Sequence, residues 1–145
     1  IVVGFIIPWI LGIIFYFTDR KILFIIAPFS SVVAFVVNSF GFFYGFWTIA
    51  PYTYGKFSTI PFDLGLYPIL SVYLIHYINK TEISPYLLII IATFFTTLLE
   101  WFGILTGRVV YSNGWNLSFT FISYLIPYLL SYWFYIQLKK MRVFN

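Results

Sequence analysis

The apolar stretch from Ser84 to Gly107 constrains the fold most, because it has the length and composition of one membrane-spanning helix. At about 1.5 Å per residue it is long enough to cross a hydrocarbon layer of about 30 Å. At helical spacing its polar and small residues share one face, opposite the bulky apolar residues: Thr93, Thr96, Thr97, Glu100, Gly103 and Gly107. In lipid, such a face is expected to contact protein or trapped water. The pattern therefore predicts that Glu100, the single charge, points into the protein interior.

The composition places the whole chain in the same class. Hydrophobic residues make up 62% of the chain, aromatic residues 26% and charged residues only 8%, which is typical of polytopic membrane proteins and unlike soluble domains. The net charge of +4 comes from basic residues scattered between apolar runs, so we expect no nucleic-acid partner. Without cysteine there are no disulfides or thiolate sites. No sequence motif indicates a cofactor or a metal.

Five apolar segments predict the fold, an all-α integral membrane protein with a bundle of about five transmembrane helices. Residues 1–145 are expected to form this single bundle, with the fourth helix at its centre. The predicted helices span approximately residues 1–18, 22–47, 61–78, 84–107 and 117–138. Because the sequence begins with Ile1 rather than Met, two alternatives stay open: the first helix is truncated, or further chain precedes it.

Small residues at four-residue spacing predict where helices approach closely. Gly4, Pro8 and Gly12 form one such face on the first helix. Two further faces are expected to pack helices within the bundle, or to bind a partner or a second copy of the chain: Gly41/Gly45 and Gly103/Gly107.

The lysines and arginines are unequally divided between the two ends of the predicted bundle. Lys56 and Arg108 fall at one end, and six basic residues fall at the other: Arg20, Lys21, Lys80, Lys139, Lys140 and Arg142. Since basic loops stay in the cytoplasm, the C-terminus is predicted to be cytoplasmic. Glu100 then belongs to the half of the bundle that faces away from the cytoplasm.

Helix depth predicts a polar pocket in that half. Asn38 and Glu100 each lie about seven residues from the outer end of their helices, and so at similar depth. A carboxylate in hydrocarbon costs several kcal/mol unless it is protonated, paired or wetted. We therefore expect an outward-facing pocket centred on Glu100, with Asn38, Thr96 and Thr97 as hydrogen-bond partners. Four more residues are expected around its mouth or in the adjoining loops: Asp63, Tyr67, Arg108 and Trp115.

A purely structural interpretation of the same residues stays open. Glu100 could be a neutral acid that bonds to Asn38 and only fixes helix packing. Asp63 could complement the positive end of its helix, and Arg108 could reach lipid headgroups. The lone histidine, His76, is expected to cap a helix or lie at the interface. The tyrosines that repeat along the fifth helix are more typical of packing than of a cavity: Tyr124, Tyr128, Tyr132 and Tyr135.

Three functions follow from these alternatives. The first is a small membrane protein that binds or translocates a small ligand or ion at Glu100. The second is a structural or partner subunit of a larger membrane complex. The third is an intramembrane enzyme that uses Asp63 and Glu100, which ranks last because two carboxylates without histidine are weak support for catalysis.

One stretch carries a resemblance to a known family. Asp63-Leu64-Gly65-Leu66-Tyr67-Pro68, followed by the mid-helix Glu100 and by Gly114-Trp115, resembles a group of small multi-pass membrane proteins of spore-forming Firmicutes. That group has no assigned activity, so the resemblance implies a helical membrane fold and a bacterial plasma membrane, but no reaction. Five helices and many aromatics are also similar in architecture to the translocator-protein (tryptophan-rich sensory protein) family. The Trp- and Pro-rich ligand-loop pattern of that family is not matched.

Overall fold

A computed structural model describes residues 1–144 of the protein, a helical bundle with one small sheet; Asn145 lies outside the described residues. The elements are a π-helical turn Val2–Ile6, α1 Ile7–Thr18, α2 Arg20–Phe43, β1 Trp47–Ile49, α3 Tyr67–Lys80, α4 Pro85–Leu105, β2 Val109–Tyr111 and α5 Leu117–Lys140. The prediction of an all-α protein is confirmed at this level. Four segments are long and apolar enough to cross a membrane: Arg20–Phe43, Tyr52–Lys80, Pro85–Leu105 and Leu117–Lys140. The helical segment Val2–Thr18 is shorter.

Local sequence signals explain where the helices begin and end. The Asp19 side chain accepts a hydrogen bond from the backbone N–H of Ile22 and caps α2. Asn116 caps α5 in the same way. The second and fourth helices end earlier than predicted, at Phe43 and Leu105 rather than at residues 47 and 107. Gly45 and Gly107 have left-handed backbones, with φ of 64° and 66°, which end a helix rather than continue it.

The chain before α3 is more irregular than the predicted straight helix. A 3₁₀ segment Tyr52–Thr59 and a π-helical turn Phe62–Leu66 precede Tyr67. The Thr59 hydroxyl donates to the Asp63 carboxylate or the Lys56 carbonyl. Ser84 is the N-cap residue of α4, although its side chain makes no capping hydrogen bond.

The two strands form the one element that the sequence does not predict. β1 pairs antiparallel with β2, with Trp47 opposite Tyr111 and Ile49 opposite Val109. The ladder ties the chain after α2 to the chain after α4 at one end of the bundle, which we call the sheet end. It places Trp47 and Tyr111 beside the helices whose ends it joins.

The small face of the first helix packs closely against another helix, as predicted. A Cβ atom on Gly65 would lie 2.2 Å from the carbonyl oxygen of Gly4, so the two backbones are in contact there. A Cβ atom on Gly12 would lie 2.5 Å from Cδ1 of Ile69. Trp9 adds a hydrogen bond of 2.9 Å from its indole nitrogen to the Leu64 carbonyl.

Side chains of the sheet end cover the other two small faces at Gly41 and Gly103, whereas the space beside Gly107 is open. The indole of Trp47 fills the space in which a Cβ atom of Gly41 would lie, 1.9 Å from Cζ2. Val109 lies against Gly103 in the same way. Within the chain, the close contacts predicted at these faces are therefore made with the strands and not with a helix.

The helix predicted at the centre of the bundle lies at its edge. Only 17% of the apolar stretch of α4 is buried, against 56% for the segment Tyr52–Lys80. The buried side chains of α4 are Ile89, Thr93 and Thr96. The bulky face of α4 is exposed, and α3 takes the central place.

At the end of the bundle opposite the sheet, side-chain contacts join the helix ends and the C-terminal segment. His76, in the last turns of α3, lies 3.1 Å from the Asp19 carboxylate, which caps α2. The Lys21 ammonium donates to the Val143 carbonyl, and the Tyr135 hydroxyl donates to Asn79. Six of the eight basic residues lie at this end of the protein, in or next to the segments that these contacts join.

Candidate functional site

A small cavity lies among α2, α3, α4 and α5, next to β1. Its volume is about 40 Å³. Because about 10–15 Å³ by this measure holds one water, the cavity has room for a few waters or a small ion. The wall residues that carry side-chain polar atoms come from four helices and one strand: Ser30, Asn38, Trp47, Tyr67, Ser71, Glu100, Ser123, Tyr124 and Tyr128.

Glu100 is the single carboxylate in this wall, and both its oxygens accept hydrogen bonds. The Tyr111 hydroxyl donates to Oε1 at 2.5 Å, and the Tyr124 hydroxyl donates to Oε2. Thr120 lies 3.4 Å from Oε1. Phenol hydroxyls donate well to carboxyl oxygens. The carboxylate therefore faces the protein interior, where hydroxyl groups from β2 and α5 hold it.

The hydrogen-bond partners expected for Glu100 are different from those found. Thr96 donates to the Ala92 carbonyl and contacts the Tyr128 hydroxyl at 2.6 Å, and Thr97 donates to the Thr93 carbonyl. Threonines in a helix commonly bond to the carbonyl four residues back, which leaves them no hydrogen for the acid. The prediction that they bind Glu100 directly is wrong.

Asn38 lines the cavity but is bonded to the other buried acid. Its Nδ2 donates to Oδ1 of Asp63 at 2.5 Å, and the Thr59 hydroxyl lies 2.8 Å from Oδ2. Asp63 is 1% exposed and is not among the wall residues. The expectation that Asp63 stands at an open mouth, and that Asn38 bonds to Glu100, is therefore wrong. Similar depth along their helices was the reason to expect a bond between Asn38 and Glu100, but the Asn38 amide faces Asp63.

The remaining predicted residues take three different places. Tyr67 lines the cavity, and its hydroxyl lies 3.1 Å from that of Tyr124. Trp115 donates from its indole nitrogen to Thr120 at 2.8 Å, which supports the hydroxyl cluster from behind. Arg108 is exposed, and among the described residues its guanidinium makes no hydrogen bond or ion pair.

Tyr111 is the site residue that no local pattern indicated. It belongs to β2, and the pairing with β1 fixes its position next to α4. Burial, and then the nearby Glu100 carboxylate, raise the pKa of Tyr111 far above its usual value. The phenol therefore stays protonated at physiological pH and remains a donor to Glu100. Tyr124 and Tyr128, by contrast, belong to the tyrosine repeat of α5 and could be suspected from spacing.

Tyr111 also borders a second, open space on the outside of the bundle. A groove of about 570 Å³ lies between the ends of α4 and α5. Its wall includes Trp101, Tyr111, Trp115 and Asn116. The Tyr111 side chain thus stands between this groove and the carboxylate of Glu100.

Within residues 1–144, no three His, Cys, Asp or Glu side chains gather into a cluster that could hold a metal ion. His76 pairs with Asp19 at the end opposite the sheet. The chemistry available at the cavity is therefore that of one carboxylate, several hydroxyls, one amide and one indole N–H. Comparisons with protein-family models, with curated proteins and with solved structures find no match for this chain.

The hydroxyl of Tyr124 is expected to stabilise the protein through Glu100. Tyr124→Phe leaves one carboxylate oxygen without its donor, which should lower the free energy of unfolding by about 1–3 kcal/mol. Denaturation in detergent micelles measures the change. The matched control is Tyr132→Phe, about two turns further along the same helix, whose hydroxyl makes no hydrogen bond within the described chain. It should change stability by less than about 0.5 kcal/mol. Equal effects of the two substitutions would contradict the arrangement.

Proposed function

We propose that the protein is an integral membrane protein that binds or translocates a small polar ligand or ion in the cavity beside Glu100. The observation that carries the proposal is a carboxylate in the wall of a small internal cavity, held by hydroxyl groups and without a protein cation. Within the described residues the one ion pair is His76 with Asp19. A buried acid that no protein charge neutralises is costly in hydrocarbon, and a bound ligand or ion would offset that cost.

Membrane insertion is supported by the surface of the helices. Phe94, Phe102 and Leu105 on α4 and Phe119 and Ile126 on α5 are all exposed, and water would not stabilise such a surface. Lipid would cover it. We propose a multi-pass arrangement in which all five helical segments cross, with the shorter Val2–Thr18 included.

The orientation is proposed from charge. Six basic residues lie at the end opposite the sheet, and the positive-inside rule places that end, with the C-terminus, in the cytoplasm. The sheet end, the groove and the cavity would then face outward. The resemblance carried by residues 63–68 supports a bacterial plasma membrane as the bilayer.

The orientation can be measured directly because the chain contains no cysteine. Ser112→Cys introduces a thiol at the exposed sheet end, and Lys140→Cys introduces one at the exposed opposite end. In intact cells a membrane-impermeant maleimide should label the cysteine at position 112. The cysteine at position 140 should react only after permeabilisation. The reverse pattern would contradict the proposed orientation, and labelling of both in intact cells would contradict the membrane crossing itself.

The two alternative functions have less support from the geometry. The enzyme hypothesis needs both carboxylates in one cavity, but Asp63 is enclosed by Asn38 and Thr59 away from the cavity wall. The subunit hypothesis rests on the small-residue faces, and the chain's own side chains cover them at Gly41 and Gly103. Neither alternative explains why an acid borders an internal cavity.

The proposal is tested by removing the charge of Glu100 with little change of shape. The full chain is reconstituted in lipid nanodiscs, and tryptophan fluorescence is recorded during titration with sodium chloride, methylammonium chloride, sodium acetate and urea. Trp47 lies in the cavity wall, so an occupant should change the emission in a saturable way. Glu100→Gln should weaken that binding by about tenfold or more, since a buried charge contact is lost.

Glu82→Gln is the matched control, because Glu82 is exposed in the connection between α3 and α4. It should leave the titration unchanged. If no solute gives a saturable change, or if Glu100→Gln and the parent chain respond alike, Glu100 has a packing role and the proposed function fails.

A further inference from the structure

We infer that the occupant of the cavity is a small monovalent cation, an alkali metal ion or an ammonium group, held by Glu100 and by oxygen lone pairs of the wall. The inference rests on the proposed function and names the ligand class for the same cavity. It follows from counting hydrogens, because each hydroxyl has one hydrogen to donate and two lone pairs.

The hydroxyl hydrogens of the wall near Glu100 are already used. Tyr124 donates its hydrogen to Oε2 of Glu100. In the contact between Tyr67 and Tyr124, Tyr67 must therefore be the donor. Ser123 donates to the Thr120 carbonyl at 2.7 Å. These three hydroxyls can offer the cavity lone pairs and no hydrogen.

The same count applies on the other side of the cavity. Thr96 uses its hydrogen on the Ala92 carbonyl, so in its contact of 2.6 Å with Tyr128 the donor is Tyr128. The Tyr128 oxygen thus also presents lone pairs to the cavity. The donors that remain in the described wall lie away from Glu100 in the hydrogen-bond network: the Ser71 hydroxyl, the second amide hydrogen of Asn38, the indole N–H of Trp47 and one hydrogen of the Ser30–Ser131 hydroxyl pair.

Asn38 contributes an amide oxygen. Because its Nδ2 is turned to Asp63, its Oδ1 is turned the other way. Within residues 1–144 no fully buried side-chain nitrogen or oxygen lacks a hydrogen-bond partner, and Oδ1 makes no hydrogen bond with the described residues. Since Asn38 lines the cavity, Oδ1 borders that space. Asp63 thereby orients the amide so that it presents an acceptor.

Pro127 leaves one backbone carbonyl of α5 without its usual helical donor. A proline inside a helix has no N–H for the carbonyl four residues earlier, which here is that of Ser123. Both Pro127 and Ser123 line the cavity, and Pro127 lies inside α5. Backbone carbonyls released by interrupted helices are typical cation ligands in membrane proteins.

Charge and size select a monovalent cation from the possible occupants. One carboxylate neutralises one positive charge, whereas a divalent ion would leave a net charge in an apolar bundle at high cost. An anion would be repelled by the Glu100 carboxylate, which the wall does not balance with a cation. The volume of about 40 Å³ suits a bare or partly hydrated ion.

The experiment extends the nanodisc titration to chlorides of sodium, potassium, methylammonium and calcium, with N-methylglucamine chloride as the bulky control for ionic strength. At least one of the three monovalent cations should bind with an affinity at least about tenfold above that of calcium, because charge matching favours it. Sodium or potassium binding identifies a metal ion, and binding of methylammonium alone identifies an ammonium group. Both results support the inference.

Two further variants separate binding from folding. Pro127→Ala restores a hydrogen bond to the Ser123 carbonyl, so thermal stability should stay equal or rise while cation affinity falls severalfold. Glu100→Gln should abolish the cation response, and Glu82→Gln should leave it intact. Unchanged affinity in Pro127→Ala would overturn the part assigned to that carbonyl.

The failure of the inference can be told from failure of the proposed function. If urea or acetate binds through Glu100 better than any monovalent cation, or if calcium binds best, the cation assignment is overturned while the cavity remains a binding site. If no member of either panel gives a saturable response, both the cation assignment and the proposed function are overturned.

Discussion

The need to satisfy two carboxylates inside an apolar bundle determines the arrangement of the sheet end. Glu100 on α4 is held by Tyr111 from β2 and Tyr124 from α5, and Asp63 is held by Asn38 from α2. Tyr111 reaches Glu100 only because β2 is paired with β1. The hydroxyl and amide donors thus join all the elements around the cavity, and losing one donor would leave a buried acid unpaired at a cost of about 1–3 kcal/mol or more.

The two acids differ in what surrounds them, and this difference is the reason to assign a structural role to Asp63 and a binding role to Glu100. Asp63 is enclosed: Asn38 donates to its Oδ1, and the Thr59 hydroxyl lies within hydrogen-bond distance of its Oδ2. Glu100 has donors on both oxygens as well, but it also borders a cavity. Asn38 links the two, since it bonds to Asp63 and lines the cavity. Asp63 therefore orients the Asn38 amide in the cavity wall, and Glu100 in the same wall is available to a ligand.

The helices were predictable from the sequence because apolar length and spacing are local signals, and the inward direction of Glu100 followed from the polar stripe of its own helix. The partners of Glu100 were not predictable. The position of a residue along its helix predicts its depth in the bundle but not the direction in which its side chain points. The depth argument therefore predicts a contact between Asn38 and Glu100, whereas Asn38 faces Asp63. Tyr111 depends on a strand pairing between residues about sixty apart in sequence. The spacing of small residues predicts a helix contact at Gly41, because no local sequence signal shows that the Trp47 indole packs over this glycine.

The central claim is that Glu100 ionises beside a cavity that holds a monovalent cation, and diffraction locates such an ion directly. Crystals of the full chain grown with a thallium(I) salt give anomalous scattering from an ion close to potassium and ammonium in size. The account predicts an anomalous peak inside the cavity, in contact with the carboxylate of Glu100 and with Oδ1 of Asn38. A cavity without a peak in thallium-bound crystals, or a Glu100 carboxylate turned away from it, would contradict the account.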